Sequence, residues 1–355
     1  MPDANMTASK ESGGIVCVGN LIVDRVHTLT YWPDEGNLAH ITHQTAGVGG
    51  GAVNVACDLA SLGLPARVSL AGLVGRDADA AFLLDQVWKK GVNTAAVQSL
   101  SDASTGHTHV MTVPGKSRTF FYHGGANDRL NLSSIEVGSF ATAGYRLFYL
   151  GYLMLLPGLD ALDADGRSGA SRLLEKAKRA GLQTAVDFVS SEDPAFAAQV
   201  RSSLAWCDHI IINEIEAGQA TGLSLRTPEG PLDMVAMQRA ADLLFEFGVR
   251  QNVIIHAPEL SIWKTIGQDM VITCARSVAS DDIVSPVGAG DAFCSAVLFG
   301  LHQEWSPSKT AALAHRAAAH CLRGATATDG IPSMAMLQRE DAAENAENPS
   351  AEERV

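Results

Sequence analysis

Nine residues, Ser285-Pro286-Val287-Gly288-Ala289-Gly290-Asp291-Ala292-Phe293, combine small side chains, one carboxylate and the start of an alanine-rich stretch that runs to Leu301. The apolar run before them and the Ala-rich stretch after them predict a strand, a glycine turn and a helix start. Small residues let the N–H groups of Ala289, Gly290 and Asp291 converge at the helix N-terminus, a point that stabilises an anion. A carboxylate there repels a resting anion. It makes chemical sense as a base beside a phosphoryl group in transit, taking a hydroxyl proton while amides stabilise the moving charge. The plain alternative is an ordinary strand-to-helix turn with a charged cap.

A second chemical segment is Gly49-Gly50-Gly51-Ala52-Val53-Asn54, which leads through Cys57-Asp58-Leu59 to Gly63. Glycines let backbone approach a ligand closely. The next dozen residues read as a helix, with Val53, Ala56, Leu59 and Ala60 on one face and Gly63 as its stop. Asn54 falls in the first turn, where its amide can reach hydroxyls lying over the glycines. Val68 to Leu73 then reads as a strand.

Together these segments, more than 200 residues apart, resemble the C-terminal and N-terminal signatures of the PfkB, or ribokinase-like, carbohydrate kinases. The resemblance spans roughly residues 15 to 333. It implies an α/β fold, a three-layer α/β/α arrangement with a mostly parallel central sheet and a small β-sheet lid. It implies transfer of the γ-phosphoryl group of ATP, with Mg2+, to a hydroxyl of a sugar or sugar-like alcohol. Asp291 would be the general base and Gly288, Ala289 and Gly290 the anion hole. Asp24, Gly50, Gly51 and Asn54 would hold the sugar, with Asn127 contributing from the Gly124-Gly125-Ala126-Asn127 segment after the lid. Asn213, Ala257, Glu259 and Gly290 would meet the nucleotide. Glu216 would act on magnesium mainly through water. The bland readings are a turn Asp for Asp24, a simple turn for Asn127, and a helix N-cap box for the Asn213-x-x-Glu216 pair.

The elements needed to position these residues are legible. Residues 15–19, 146–152, 184–188, 209–212 and 252–256 read as strands, and residues 168–180, 234–247 and 309–323 as helices. Their alternation argues for a mostly parallel sheet covered on both faces. Two stretches, residues 26–45 and about 105–123, carry Thr, His, Tyr and Phe at strand spacing without helices between them. They are the expected lid, which would exclude water from the transfer. The kinase domain is expected over 14–338, with disordered tails at 1–13 and 339–355.

Two departures from the family pattern stand out. Relatives carry Asp-Thr where this chain has Ser285-Pro286; the missing carboxylate helps bind a monovalent cation, so that site is expected to be weakened. Relatives also carry a Thr-x-Gly-x-x-Gly loop along the nucleotide phosphates, where this chain reads Ile255-His256-Ala257-Pro258-Glu259-Leu260 with both glycines gone.

Composition bounds the remainder. The chain has 355 residues, 46% of them hydrophobic, enough for one large core. A net charge of −13 without a basic cluster argues against nucleic acid as a partner. Six scattered cysteines without a C-x-x-C pair read as buried thiols of a reducing compartment. With no apolar leader and no long apolar run, a cytoplasmic protein without membrane contact is expected. Exposed lid edges make a homodimer plausible. Two rival functions stay open: a nucleoside kinase of the same fold, with Tyr31, Trp32, Phe120 and Tyr122 as stacking candidates, and a non-catalytic sugar sensor with a degraded ATP loop.

Overall fold

A computed structural model describes residues 13–115 and 118–347. Along the chain, β1 (Gly14–Val18), β2 (Ile22–Leu29) and β3 (Ile41–Gly49) lead into α1 (Gly51–Leu62), β4 (Arg67–Gly75), α2 (Ala78–Lys89) and β5 (Asn93–Leu100). Next come β6 (Gly106–Thr112), β7 (Thr119–His123), α3 (Val137–Thr142), β8 (Leu147–Leu153), α4 (Pro157–Asp160), α5 (Gly169–Arg179) and β9 (Gln183–Phe188). The second half holds α6 (Phe196–Leu204), β10 (His209–Asn213), α7 (Glu214–Thr221), α8 (Met234–Glu246), β11 (Asn252–His256), β12 (Leu260–Thr265) and β13 (Val271–Cys274). It closes with α9 (Ala289–His302), α10 (Pro307–Cys321) and α11 (Met334–Glu347).

The large sheet runs β13-β12-β11-β10-β9-β8-β1-β4-β5. From β11 to β5 every neighbouring pair is parallel; β12 and β13 return antiparallel at one edge. Its central strands are apolar along their whole length because helices cover both faces. Side-chain alternation sends Val16, Val18, Phe148, Leu150, Ile210 and Ile212 into one core, packed against α5, α6 and α8. The intervening residues Ile15, Cys17, Leu147, Tyr149 and Ile211 enter the opposite core, against α1, α9 and α10. The expected three-layer fold is therefore present.

The smaller sheet runs β3-β2-β6-β7, with β2 and β6 parallel and the outer pairs antiparallel. It corresponds to the expected lid, but β2 starts at Ile22 and β3 extends to Gly49, so the lid feeds directly into the site loops. One expectation is corrected. No strand leads directly into the 288–291 turn: residues 280–282 form a 3-10 turn, and the N–H groups of Val284 and Ser285 donate to Leu322 O at 2.9 and 3.1 Å. At the end of the described chain α11 runs across residue 338, anchored where Arg316 Nη2 donates to Leu337 O at 2.8 Å and to Glu340 at 3.1 Å. The tail residues 1–12 and 348–355 lie outside the described residues. No described helix is long and apolar enough to cross a membrane.

Candidate active site

A cavity of about 530 Å³ opens at the carboxyl ends of the parallel strands, beneath the lid. Open α/β sheets bind ligands at this end, where strands hand over to loops and helix N-termini. Ile22, Asp24, Thr108, Phe120 and Tyr122 line it from the lid; Asn54, Tyr152, Asp187, Asn213, Glu216, His256 and Asp291 line it from the main body.

Two glycines shape its floor. Gly50 caps α1 at φ 91°, a backbone that side chains disfavour, and a Cβ there would also strike Asn20 O. Gly288 caps α9 at φ 87° and lies against the backbone of Ala327. The tight turn at Gly288 leaves the first-turn N–H groups of α9 facing outward without intrahelical acceptors. Ala289 N reaches only Pro286 O, at 3.5 Å.

Asp291 sits in that first turn, 4% exposed. Asn54 Nδ2 donates to its Oδ2 at 2.8 Å and Tyr152 Oη donates to the same oxygen at 2.9 Å. Burial pushes Asp291 up to about 6 against these two hydrogen bonds, with Asp24 adding repulsion. A base poised just below neutral pH is ionised when needed and still basic. Asp24 is likewise pushed up to about 6 by burial, opposed by a hydrogen bond from Thr108.

Tyr152 belongs to a chain of contacts behind Asp291. Its N–H donates to Asp187 Oδ1 at 2.6 Å, and Tyr149 Oη donates to Asp187 Oδ2 at 2.7 Å. Tyr152 adopts φ 59°, unusual for an aromatic residue. Gly51 lies flat against its ring, and a Cβ there would collide with it. Tyr149, Tyr152 and Asp187 are not among the site residues expected from sequence. Asp187 carried a signal: it is the lone charge in the run Thr184–Phe188, at the carboxyl end of a central strand.

Asn213 and Glu216 form a complete capping box. Asn213 Oδ1 accepts from the N–H groups of Ile215 and Glu216 at 2.9 and 2.8 Å, and Asn213 N donates to Glu216 Oε2 at 3.0 Å. Ser190 Oγ and Asn213 Nδ2 donate to Glu216 Oε1 at 3.1 and 2.8 Å. The bland reading is thus present, yet both residues also line the cavity. Burial pushes Glu216 up to about 7. Among the described residues Glu216 Oε2 accepts one hydrogen bond, from Asn213 N, so a water bound to a divalent cation in the cavity would have an acceptor there. Among the described residues no cluster of three or more His, Cys, Asp or Glu could cage a metal. Magnesium would therefore come with substrate phosphates and water, its usual mode of binding.

Other expected residues land differently. Asn127 is fully buried, and its amide is spent on the Leu21 backbone: Oδ1 accepts from Leu21 N at 2.9 Å and Nδ2 donates to Leu21 O at 3.0 Å. It holds the β1–β2 connection rather than facing the cavity. Ala257 and Glu259 form the tight turn between β11 and β12, closed by Ala257 N donating to Leu260 O at 2.8 Å. Glu259 is paired there with Arg226 at 2.7 Å. The residue from this segment that lines the cavity is His256, stacked on Phe293 at 4.7 Å between ring centroids, with His315 edge-on to Phe293 at 5.1 Å. Burial pulls His256 down to about 4, so the ring is neutral and apolar in character. Tyr31 and Trp32 are exposed, whereas Phe120 and Tyr122 line the cavity.

A profile of the pfkB family carbohydrate kinases matches residues 13–334. The chain belongs to that family. It is 25% identical over 287 residues to a ribokinase of Schizosaccharomyces pombe, covering 79% of this chain and 83% of the relative. It superposes with a TM-score of 0.74 and 21% identity on Arabidopsis thaliana ribokinase complexed with ribose and ATP, covering 92% and 98% of the two chains. A Burkholderia thailandensis nucleoside kinase in complex with inosine superposes with a TM-score of 0.67 at 18% identity, covering 94% and 98%.

Proposed function

We propose that this protein transfers the γ-phosphoryl group of ATP to a hydroxyl of a sugar or sugar-like alcohol. The observation that carries this reading is Asp291. Both of its hydrogen bonds fall on Oδ2, which leaves Oδ1 to take the acceptor's proton beside the α9 amides. The acceptor oxygen forms its bond to the γ-phosphorus, the bond to the bridging oxygen breaks, and ADP leaves with that electron pair. The proton goes to Asp291. Charge on the phosphoryl oxygens is met by the N–H groups around Gly288, Ala289 and Gly290. Magnesium, when bound near Glu216 and Asn213, neutralises phosphate charge.

A polyhydroxy acceptor is supported by an unmet acceptor on the protein. Asn54 lines the cavity and its Oδ1 is buried without a partner, and a sugar hydroxyl would satisfy it. Asp24 offers a carboxylate on the lid side, and Gly50 keeps the floor open. His256, backed by the buried Phe293, offers the adenine an apolar wall in place of the expected contacts from Ala257 and Glu259. Phe120 and Tyr122 favour a nucleoside as a second acceptor class, since aromatic rings stack on bases. The lid's outer strands β3 and β7 expose Ile41 and Phe121, a surface for the expected homodimer that light scattering would test.

The test is ADP release from MgATP across pentoses, hexoses, keto-deoxy sugar acids and nucleosides, with calorimetric titration of each ligand. Turnover on one compound supports the kinase and names its acceptor. Sugar binding without nucleotide binding would replace it with a sensor.

A further inference from the structure

Arg118, the residue before β7, reaches from the lid to the loop that enters α9. Its Nη1 donates to Ser285 Oγ at 2.6 Å, and Val287 N donates to the same oxygen at 3.2 Å. Ser285 is fully buried. With two donors on one hydroxyl oxygen, no lone pair remains there for a metal ion. Ser285 also carries no charge, so this position does not fit a monovalent cation. Burial is what acts on the Arg118 charge, pulling its pKa down; no carboxylate opposes it among the described residues. A guanidinium nevertheless stays protonated. The same side chain lines a small cleft with Asp24, Val287 and Thr326. A permanent positive charge is thus held against the loop that enters α9.

We propose that Arg118 is a positioning residue that serves as a tethered cation. It holds residues 285–288 in the shape that presents the α9 amides, and it makes the protein independent of any soluble monovalent cation. The contact also ties the lid to the phosphoryl site, so the loop is fully shaped only with the lid in place. This rests on the kinase reading.

The test measures turnover and MgADP affinity in KCl, NaCl and choline chloride at equal ionic strength. Wild type, Arg118→Met, Arg118→Lys and the Arg118→Met/Ser285→Asp double variant are compared after native melting is verified. The wild type should vary by less than about two-fold among the salts, and Arg118→Met should lose roughly ten-fold or more in kcat. Acceptor KM should move by less than about three-fold, and Arg118→Lys should recover part of the loss. In the double variant KCl, but not choline, should restore kcat, because the introduced carboxylate gives a cation a ligand. A purely structural tie would lower the melting temperature without this salt pattern. Several-fold activation of the wild type by KCl, or wild-type kcat and MgADP affinity in Arg118→Met, would overturn the proposal. Should no acceptor be turned over in any salt, the kinase reading fails separately. The MgADP titration then decides alone: weaker binding in Arg118→Met, with salt-independent binding in wild type, supports the tethered cation, and equal affinities refute it.

Discussion

Tyr152 donates its hydroxyl to Asp291 Oδ2 at 2.9 Å from a backbone held at φ 59°. The strained residue is kept in place by Asp187, which accepts its N–H, and by the close approach of Gly51 to its ring. The bond favours the ionised form of Asp291. Tyr152→Phe removes it. The acid limb of the kcat/KM profile, expected near pH 6 in the wild type from the Asp291 value, should then move up. A hydrogen bond to a charged group is worth about 1.5 kcal/mol or more, so the shift should be roughly one pH unit. A pH–rate profile that stays in place would remove Tyr152 from the base's environment.

Asp291 should also cost stability. Its folded-state pKa is raised from 3.8 to about 6. The folded protein therefore holds the proton more tightly than the unfolded chain, and stability falls as pH rises between those values. Asp291→Asn removes that term while keeping an acceptor for Tyr152. The variant should be inactive yet more stable than wild type by roughly 1–3 kcal/mol at pH 8, with the difference gone below pH 3.8. Urea titrations at the two pH values measure it; equal stability at pH 8 would show that the carboxylate is better solvated than its burial implies.

Asn127→Ala separates framework from ligand contact. Both amide bonds to the Leu21 backbone are buried. Losing them should destabilise the protein by about 2–4 kcal/mol, whereas acceptor KM in the folded fraction should change by less than about three-fold. A large KM effect at unchanged melting temperature would restore the substrate role expected from sequence.

Glu216→Gln should raise the magnesium concentration for half-maximal rate by roughly ten-fold, as one charge beside the metal is lost. Replacing Oε2 by a donor also opposes Asn213 N, so a loss of about 1 kcal/mol in the α7 cap accompanies it. Magnesium titrations at saturating ATP read the first effect and thermal melts the second. An unchanged magnesium response would confine Glu216 to capping.

Much of this was legible in the sequence because the chemistry is local. Gly288 to Asp291 and Gly49 to Asn54 each lie within one turn of a helix start, and the alternation of apolar runs foretold the parallel sheet. What escaped was non-local. Tyr152 meets Asp291 across 139 residues, and no periodicity announces that. Asn54 was expected to reach a substrate hydroxyl; its Nδ2 instead donates to Asp291, and only its Oδ1 is left unpartnered. Asn127 looked like a ligand contact because its glycine-rich neighbours resemble one, yet the buried Leu21 backbone claims both amide atoms. The run before Ser285 is apolar but finds no strand partner, since Leu322 O takes the N–H groups of Val284 and Ser285.

The proposed role of Asp291 as the base for transfer is tested by single-turnover formation of ADP by wild type and Asp291→Asn, with ATP and acceptor affinities measured on both proteins. A loss of at least about 100-fold in the transfer step is expected, with both affinities nearly unchanged. Transfer at the wild-type rate in Asp291→Asn would contradict that role.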